Sequence, residues 1–265
     1  MRISKTEKAV NYAVLLVFAA LIVWPLAMVV VRALGWDAGA FRWENFADAW
    51  EQGKFSHYLL NSAQVTVVTV VVSLAVSVPA GYALGAMRFR GSTVIFYVFL
   101  LGIMIPTEAF IVPLFYDMKA WGLTDTLWGV ALPQIAMSIA FGVYWMRTYF
   151  RSVSPSLAEA AKLDGAGVLR TLVSIQLPIA RPALTTLTVL WFVWTWNDFM
   201  VPLIMSPMGD MRTAPLGLNF FVGQHSTDTT LQSAAAILVA APAVAVFLLL
   251  QRQFIRGMTE GAVKD

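Results

Sequence analysis

The chain contains no cysteine, which excludes a disulfide framework, a thiol nucleophile and a cysteine metal site, though it says little about redox compartment. It has two histidines, His57 and His225, set far apart near expected outer surfaces, so they offer no paired metal ligands. Charge is scarce as well. Asp, Glu, Lys and Arg make up 12% of the residues, against about 25% in an ordinary soluble domain. There is no Gly-x-x-x-x-Gly-Lys-Ser/Thr loop, no His-Glu-x-x-His and no Gly-x-Ser-x-Gly. A chain without a phosphate-binding loop does not hydrolyse ATP itself, so any ATP energy must enter through a partner. No internal repeat, low-complexity tract or linker stands out, and a nucleic-acid partner is not expected.

What fills the chain instead is apolar. Hydrophobic residues are 59% of the 265, and the mean hydropathy is +0.72, values of a polytopic membrane protein with one domain over residues 1–265. Uncharged runs of spanning length, about 20 residues each, lie near Ala9–Val31, Tyr58–Met87, Gly91–Val112, Leu127–Met146, Pro182–Met205 and Thr229–Gln251. The expected fold class is therefore all-α with six transmembrane helices. Pro106 and Glu108 interrupt the third run and Asp198 the fifth, whereas Pro25, Pro79, Pro133 and Pro242 suit tolerated kinks. The first run exceeds a signal-peptide core, so an uncleaved anchor is expected. Arg32–His57, with Trp36, Trp43, Trp50, Asp37, Glu44, Asp48 and Glu51, suits a short amphipathic element at the membrane surface. Gly81 and Gly85 form a small-xxx-small pair suited to close helix packing.

Positive charge sets the orientation. With both termini inside, the inner segments hold thirteen basic residues, Arg2, Lys5, Lys8, Arg88, Arg90, Arg147, Arg151, Lys162, Arg170, Arg181, Arg252, Arg256 and Lys264. The outer loops then hold five, Arg32, Arg42, Lys54, Lys119 and Arg212. The positive-inside rule favours that arrangement, with both termini cytoplasmic.

Between the fourth and fifth runs lies a polar insert of about residues 151–181. Ser154 precedes Pro155, a good first helical residue, and Ser156-x-x-Glu159 has the spacing of a capping box. Gly165 and Gly167 should break that helix; a second amphipathic stretch with Val168, Leu169, Leu172, Val173 and Ile175 should end at Pro178. Two short helices on a glycine turn can dock in a groove of another protein. Alone, Glu159 is better explained by capping; joined to the whole spacing and its placement, it reads as an interface residue.

The spacing is Glu159-Ala160-Ala161, three residues, Gly165, nine residues, Ile175, one residue, Leu177-Pro178. It resembles the EAA signature of the membrane subunits of ATP-driven (ABC) importers at every defined position. Further matches are Asn61-Ser62, Pro79-Ala80-Gly81-Tyr82-Ala83-Leu84, Arg88-Phe89-Arg90-Gly91, Ile105-Pro106, Trp196-Asn197-Asp198-Phe199 and Gly257-Met258-Thr259-Glu260-Gly261-Ala262-Val263-Lys264. Together they resemble the carbohydrate-uptake permeases, in particular MalG-like subunits, over nearly the whole chain. Val31-Arg32-Ala33-Leu34 departs from the usual exit of the first span, and the loop after it is short, which bears on binding-protein docking.

The resemblance implies a type I importer permease fold in a bacterial or archaeal cytoplasmic membrane, working by alternating access. It implies a MalF-like second permease, two ATPase subunits carrying ATP and Mg, and an extracytoplasmic solute-binding protein, with no cofactor in this chain. Glu159, Ala160, Ala161, Asp164, Gly165, Ala166, Leu177 and Pro178 would then form an ATPase-coupling loop, and the tail of about residues 255–265 would touch the ATPases. On the fifth run Trp191, Thr195 and Asp198 share a helical face, with Trp194 and Asn197 beside it. Trp191, Thr195, Asn197 and Asp198 are thus candidates for a substrate path, packing being the alternative for Trp191. The expected solute is a sugar or oligosaccharide, with a glycerophosphodiester as the alternative. A different class, a proton-coupled carrier, would use Glu108 and Asp198 as intramembrane acids and would leave the EAA pattern without a role.

Overall fold

The computed structural model describes residues 4–36, 39, 41–223 and 227–262, with side chains as far as residue 251. Asp37, His225 and the last three residues of the tail therefore lie outside the described residues. The described residues are helical, with an isolated bridge between Val222 and Thr227. In chain order the helices are α1 Lys5–Ala33, α2 Asn45–Gln52, α3 Phe55–Ala86, α4 Ser92–Met104, α5 Thr107–Ala120, α6 Leu127–Ser152, α7 Pro155–Leu163 and α8 Val168–Thr171. They continue with α9 Leu177–Ile179, α10 Arg181–Asn197, α11 Met200–Met205, α12 Ala214–Gly217 and α13 Thr229–Ala262. Four of them, α1, α3, α6 and α13, are each long and apolar enough to cross a membrane, and two bent pairs raise the total to as many as six.

The chain divides into two compact units, residues 1–56 with 217–241, and residues 57–216 with 242–265. In the first, the spanning stretch of α1 has no part buried. An apolar helix surrounded by solvent-free lipid needs no protein cover. Asn45 Nδ2 donates to Ala33 O at 2.9 Å, which ties the start of the amphipathic α2 to the end of α1.

The second unit is built around α3, α6 and α10. Gly81 and Gly85 let α3 lie against the backbone of α6: a Cβ on Gly81 would fall 2.5 Å from Met146 Cβ, and one on Gly85 2.8 Å from Arg147 O. That is the close packing expected of the pair. Ser62, Thr66, Thr69, Ser73 and Ser77 are buried along one face of α3, a small polar stripe of the kind that lets membrane helices approach. Val70, Val78, Tyr82, Met146, Phe150, Leu187 and Trp191 form the core beside it. A second apolar cluster joins Val65, Ile111, Met118, Val130, Val201 and Met205.

Three local expectations change. The third run is not one helix: α4 and α5 meet at 96°, with Ile105 extended at φ −80°, ψ 117°. Pro106 lacks the amide that would continue the ladder and forces its predecessor out of the helical region. Pro25, Pro79, Pro113, Pro133 and Pro242 nevertheless sit inside helices. The fifth run likewise stops at Asn197 and resumes at Met200, because Asp198 is extended at φ −65°, ψ 126°.

The third change lies in the insert. Its first helix starts at Pro155 with Ser154 as N-cap and no side-chain capping bond. The box Ser156-x-x-Glu159 does not form, since Ser156 is already in the first turn, paired at 2.7 Å with the Ser154 hydroxyl. Nor does Pro178 end the second helix. The chain passes from α8 through a π-turn, Leu172–Gln176, into α9, and bends 78° into α10 only after Ile179. A proline ring at 178 would press on the carbonyl four residues back in a regular α-helix, and a π-turn is one way to displace that carbonyl.

Candidate functional site

Two regions of the second unit carry the functional candidates. The first is the insert. The end of α7 is closed by a Schellman turn: Ala166 N donates to Ala161 O at 2.8 Å and Gly165 N to Lys162 O at 3.0 Å. Gly165 takes φ +74°, the left-handed conformation that this turn demands. Asp164 is the C-cap and Ala161 is buried beneath the turn, while Glu159, Ala160 and Lys162 are exposed. Apolar side chains surround them in the open: Leu163 is 90% exposed and Leu169 73%, and Leu157, Val168, Val173 and Ile179 are also exposed. Leu177 is half-buried and Pro178 exposed at the foot of the unit. Such a patch on a polar, tightly turned segment is a candidate contact surface.

The second region is a cavity of about 670 Å³, within the size range of small-molecule sites. It exists because two helices break beside it. The α4–α5 break contributes Ile105, Pro106, Thr107 and Glu108; the α10–α11 break contributes Asn197, Asp198, Met200 and Val201; α6 closes it with Gln134, Ser138 and Phe141. Asp198 holds the break open in a defined shape. Its Oδ1 accepts the amides of Met200 at 3.1 Å and Val201 at 3.3 Å, and its Oδ2 accepts Gln134 Nε2 at 2.7 Å. Asn197 Nδ2 donates back to Val193 O at 2.8 Å. Trp194 stands edge-on to Phe141, with ring centroids 5.0 Å apart, and both line the cavity.

Thr195, Asn197 and Asp198 are thus brought together at the cavity wall, but Trp191 is not. Trp191 is fully buried in the α3–α6–α10 core, where a Cβ on Gly142 would lie 2.5 Å from its ring. Trp191 does lie one turn from Thr195 on α10; the close approach of α6 turns that position into packing. Gln134, Phe141, Thr107 and Ser138 also line the wall and have no role in the sequence reading; Trp194, set there beside the face of Thr195, lines it as well. Gln134, an uncharged polar residue amid an apolar run, is the signal that could have found it. Among the described residues there is no group of three or more His, Asp and Glu able to hold a metal.

The bent spans, the exposed insert and the cavity beside the two helix breaks are the frame of a membrane transport subunit. Residues 77–260 match the family described as "Binding-protein-dependent transport system inner membrane component", and the chain belongs to that family. It is 38% identical to the probable ABC transporter permease protein YurM of Bacillus subtilis (strain 168), over 83% of this chain and 73% of that one. It is 31% identical to the trehalose transport system permease protein SugB of Mycobacterium tuberculosis (strain CDC 1551 / Oshkosh), over 83% and 81%. It is also similar to a chain of the crystal structure of a bacterial ABC transporter involved in the import of the acidic polysaccharide alginate. There the TM-score is 0.81 at 25% identity, covering 96% of this chain and 99% of the other. The protein is accordingly an all-α inner-membrane permease subunit of a binding-protein-dependent ABC importer. It is a non-catalytic component, and the proton-coupled carrier falls away.

Proposed function

We propose that this subunit pairs with a MalF-like second permease on two ATPase subunits, takes a sugar or oligosaccharide from its binding protein, and passes it inward by alternating access. The termini lie in the cytoplasm, as the charge asymmetry favours. ATP and Mg act in the partner ATPases. The observation that carries the coupling assignment is the exposed apolar rim, Leu163 and Leu169 above all, on the turn that Gly165 shapes. Residues 159–166 form its docking face, and Leu177 and Pro178 join it to α10. A sugar as solute is supported by the trehalose system's SugB and by the mixed aromatic and polar cavity wall; a glycerophosphodiester is the competing solute.

The rim is tested by Leu163→Asp and Leu169→Asp in the complete transporter. Each places a charge in a contact that must desolvate, and should reduce recovery of the ATPase with the permease pair and binding-protein-stimulated hydrolysis, with membrane insertion intact. Full recovery and full stimulation in both variants would remove the coupling assignment. Glu159→Lys and Glu159→Gln separate the roles of Glu159: loss with both points to a contact that needs the negative charge, whereas a nearly silent Gln is the outcome expected of a residue that only caps its helix.

A further inference from the structure

We infer that the cavity between the two helix breaks is a subsite for an uncharged, hydroxyl-bearing solute, and that it disfavours anionic ones. This rests on the importer reading above and narrows its solute. The central observation is Gln134, which lines the cavity and is 5% exposed. Its Nε2 is committed to Asp198 Oδ2, which fixes the amide's orientation because a carboxylate only accepts. Its Oε1 is buried with no hydrogen-bond partner. A buried acceptor left open is costly, and a hydroxyl donor is what it lacks.

The rest of the wall agrees in charge. Among the described residues its ionisable groups are the carboxyls of Glu108 and Asp198, with no lysine, arginine or histidine in the lining. Glu108 also occupies the first turn of α5, the end of that helix that would otherwise attract an anion. Both oxygens of Asp198 are occupied by the amides of α11 and by Gln134. A phosphate or uronate entering here would lose its water without meeting a cation. A neutral sugar can give a hydroxyl to Gln134 Oε1 and lay an apolar face on Trp194, which is half exposed beside Phe141.

The cysteine-free sequence permits a direct test. Thr107→Cys puts a thiol at the cavity wall, and its reaction with a maleimide is timed in the assembled transporter in nanodiscs. The neutral probes are maltose, trehalose and N,N′-diacetylchitobiose; the anionic ones are sn-glycerol 3-phosphate and galacturonate at matched ionic strength. At least one neutral probe should protect the thiol, by about tenfold at ten times its half-protecting concentration, and neither anion should. Protection should disappear with Gln134→Met. Equal protection by an anion overturns the inference, as does protection that survives Gln134→Met. It is overturned too if no probe protects while ATPase-dependent sugar uptake persists, an outcome that leaves the importer reading standing. A thiol already blocked without any probe places a protein segment of the second permease in the cavity and overturns it equally. Loss of uptake on disabling the ATPase partner tests the importer reading separately.

Discussion

Replacing Gly165 by alanine isolates the turn of the proposed coupling loop from everything around it. Its φ is +74°, and a Cβ added there meets nothing within 4 Å, so the substitution adds no clash. What remains is the intrinsic penalty of a left-handed L-residue, about 1–2 kcal/mol. That corresponds to a factor of about 5–30 in the balance between closed and opened turn. Gly167 is the matched control: it is extended at φ −73°, ψ 168° and equally uncrowded, so Gly167→Ala should be close to neutral. Hydrogen exchange reads the turn directly. The amides of Gly165 and Ala166, bonded to Lys162 O and Ala161 O, should exchange about 5- to 30-fold faster in Gly165→Ala, with binding-protein-stimulated ATPase activity falling in parallel. Gly165→Asn should sit between wild type and alanine, because asparagine tolerates this conformation. Equal effects at 165 and 167, or an asparagine variant worse than alanine, would show that the left-handed turn does not set the effect.

Gly81→Leu should abolish recovery of folded permease pair, and Gly81→Ala should cost about 1–3 kcal/mol by overpacking, because the new Cβ meets Met146 Cβ at 2.5 Å and Arg147 N at 3.0 Å; thermal stability in detergent measures both. Asp125→Ala removes the acceptor of Ser206 Oγ at 2.8 Å, Met208 N at 2.9 Å and Gly209 N at 3.0 Å. It should leave membrane insertion unchanged but raise hydrogen exchange in residues 206–211 by at least about tenfold, one lost bond to a charged group being worth about 1.5–3 kcal/mol. Single cysteines at Gly53, Gly91, Gly122 and Gly209 should be labelled from outside, inside, outside and outside respectively. Outside labelling at Gly91 would reverse the topology.

The spans were legible because lipid imposes one rule, a long apolar run with its backbone satisfied internally, and composition reports that rule directly. Gly81–Gly85 and the Gly165 turn were legible for the same kind of reason: glycine is required where backbones touch or φ turns positive. The breaks at Pro106 and Asp198 were visible as interruptions, but not their consequence. Whether a proline bends a helix by 96° or rides inside one, as Pro133 does, depends on what satisfies the freed groups nearby, which a single sequence does not state. The cavity follows from those bends, so Gln134 and Phe141 could not be grouped with Thr195 in advance. Trp191 shows the converse. Its helical face was right, and a glycine on another helix, Gly142, decided that the face would be packed.

The π-turn supplies a final consequence for coupling. From Val168 the chain runs through α8, the π-turn Leu172–Gln176 and α9, bends at the fully buried Ala180, and continues as α10 to Asn197 at the cavity wall. The exposed rim at Leu169 and the wall at Thr195 are therefore the two ends of one nearly continuous helical path. Leu177 N donates to Leu172 O, a bond five residues back, so the ladder before it is offset by one residue. Each residue turns a helix by about 100°, so the π-turn sets which way the rim faces relative to α10. If Pro178 imposes it, Pro178→Ala restores an amide at 178 and removes the ring from the carbonyl at 174, letting the turn anneal to α-helix. The rim would rotate by up to about 100° against a wall that stays in place. Spin labels at Leu163 and Arg181 should then report a changed distance distribution. ATPase attachment should weaken while the α3–α6–α10 core keeps its stability. An unchanged distribution with wild-type uptake would show that the packing of buried Leu172 and Gln176, not the proline, fixes the turn.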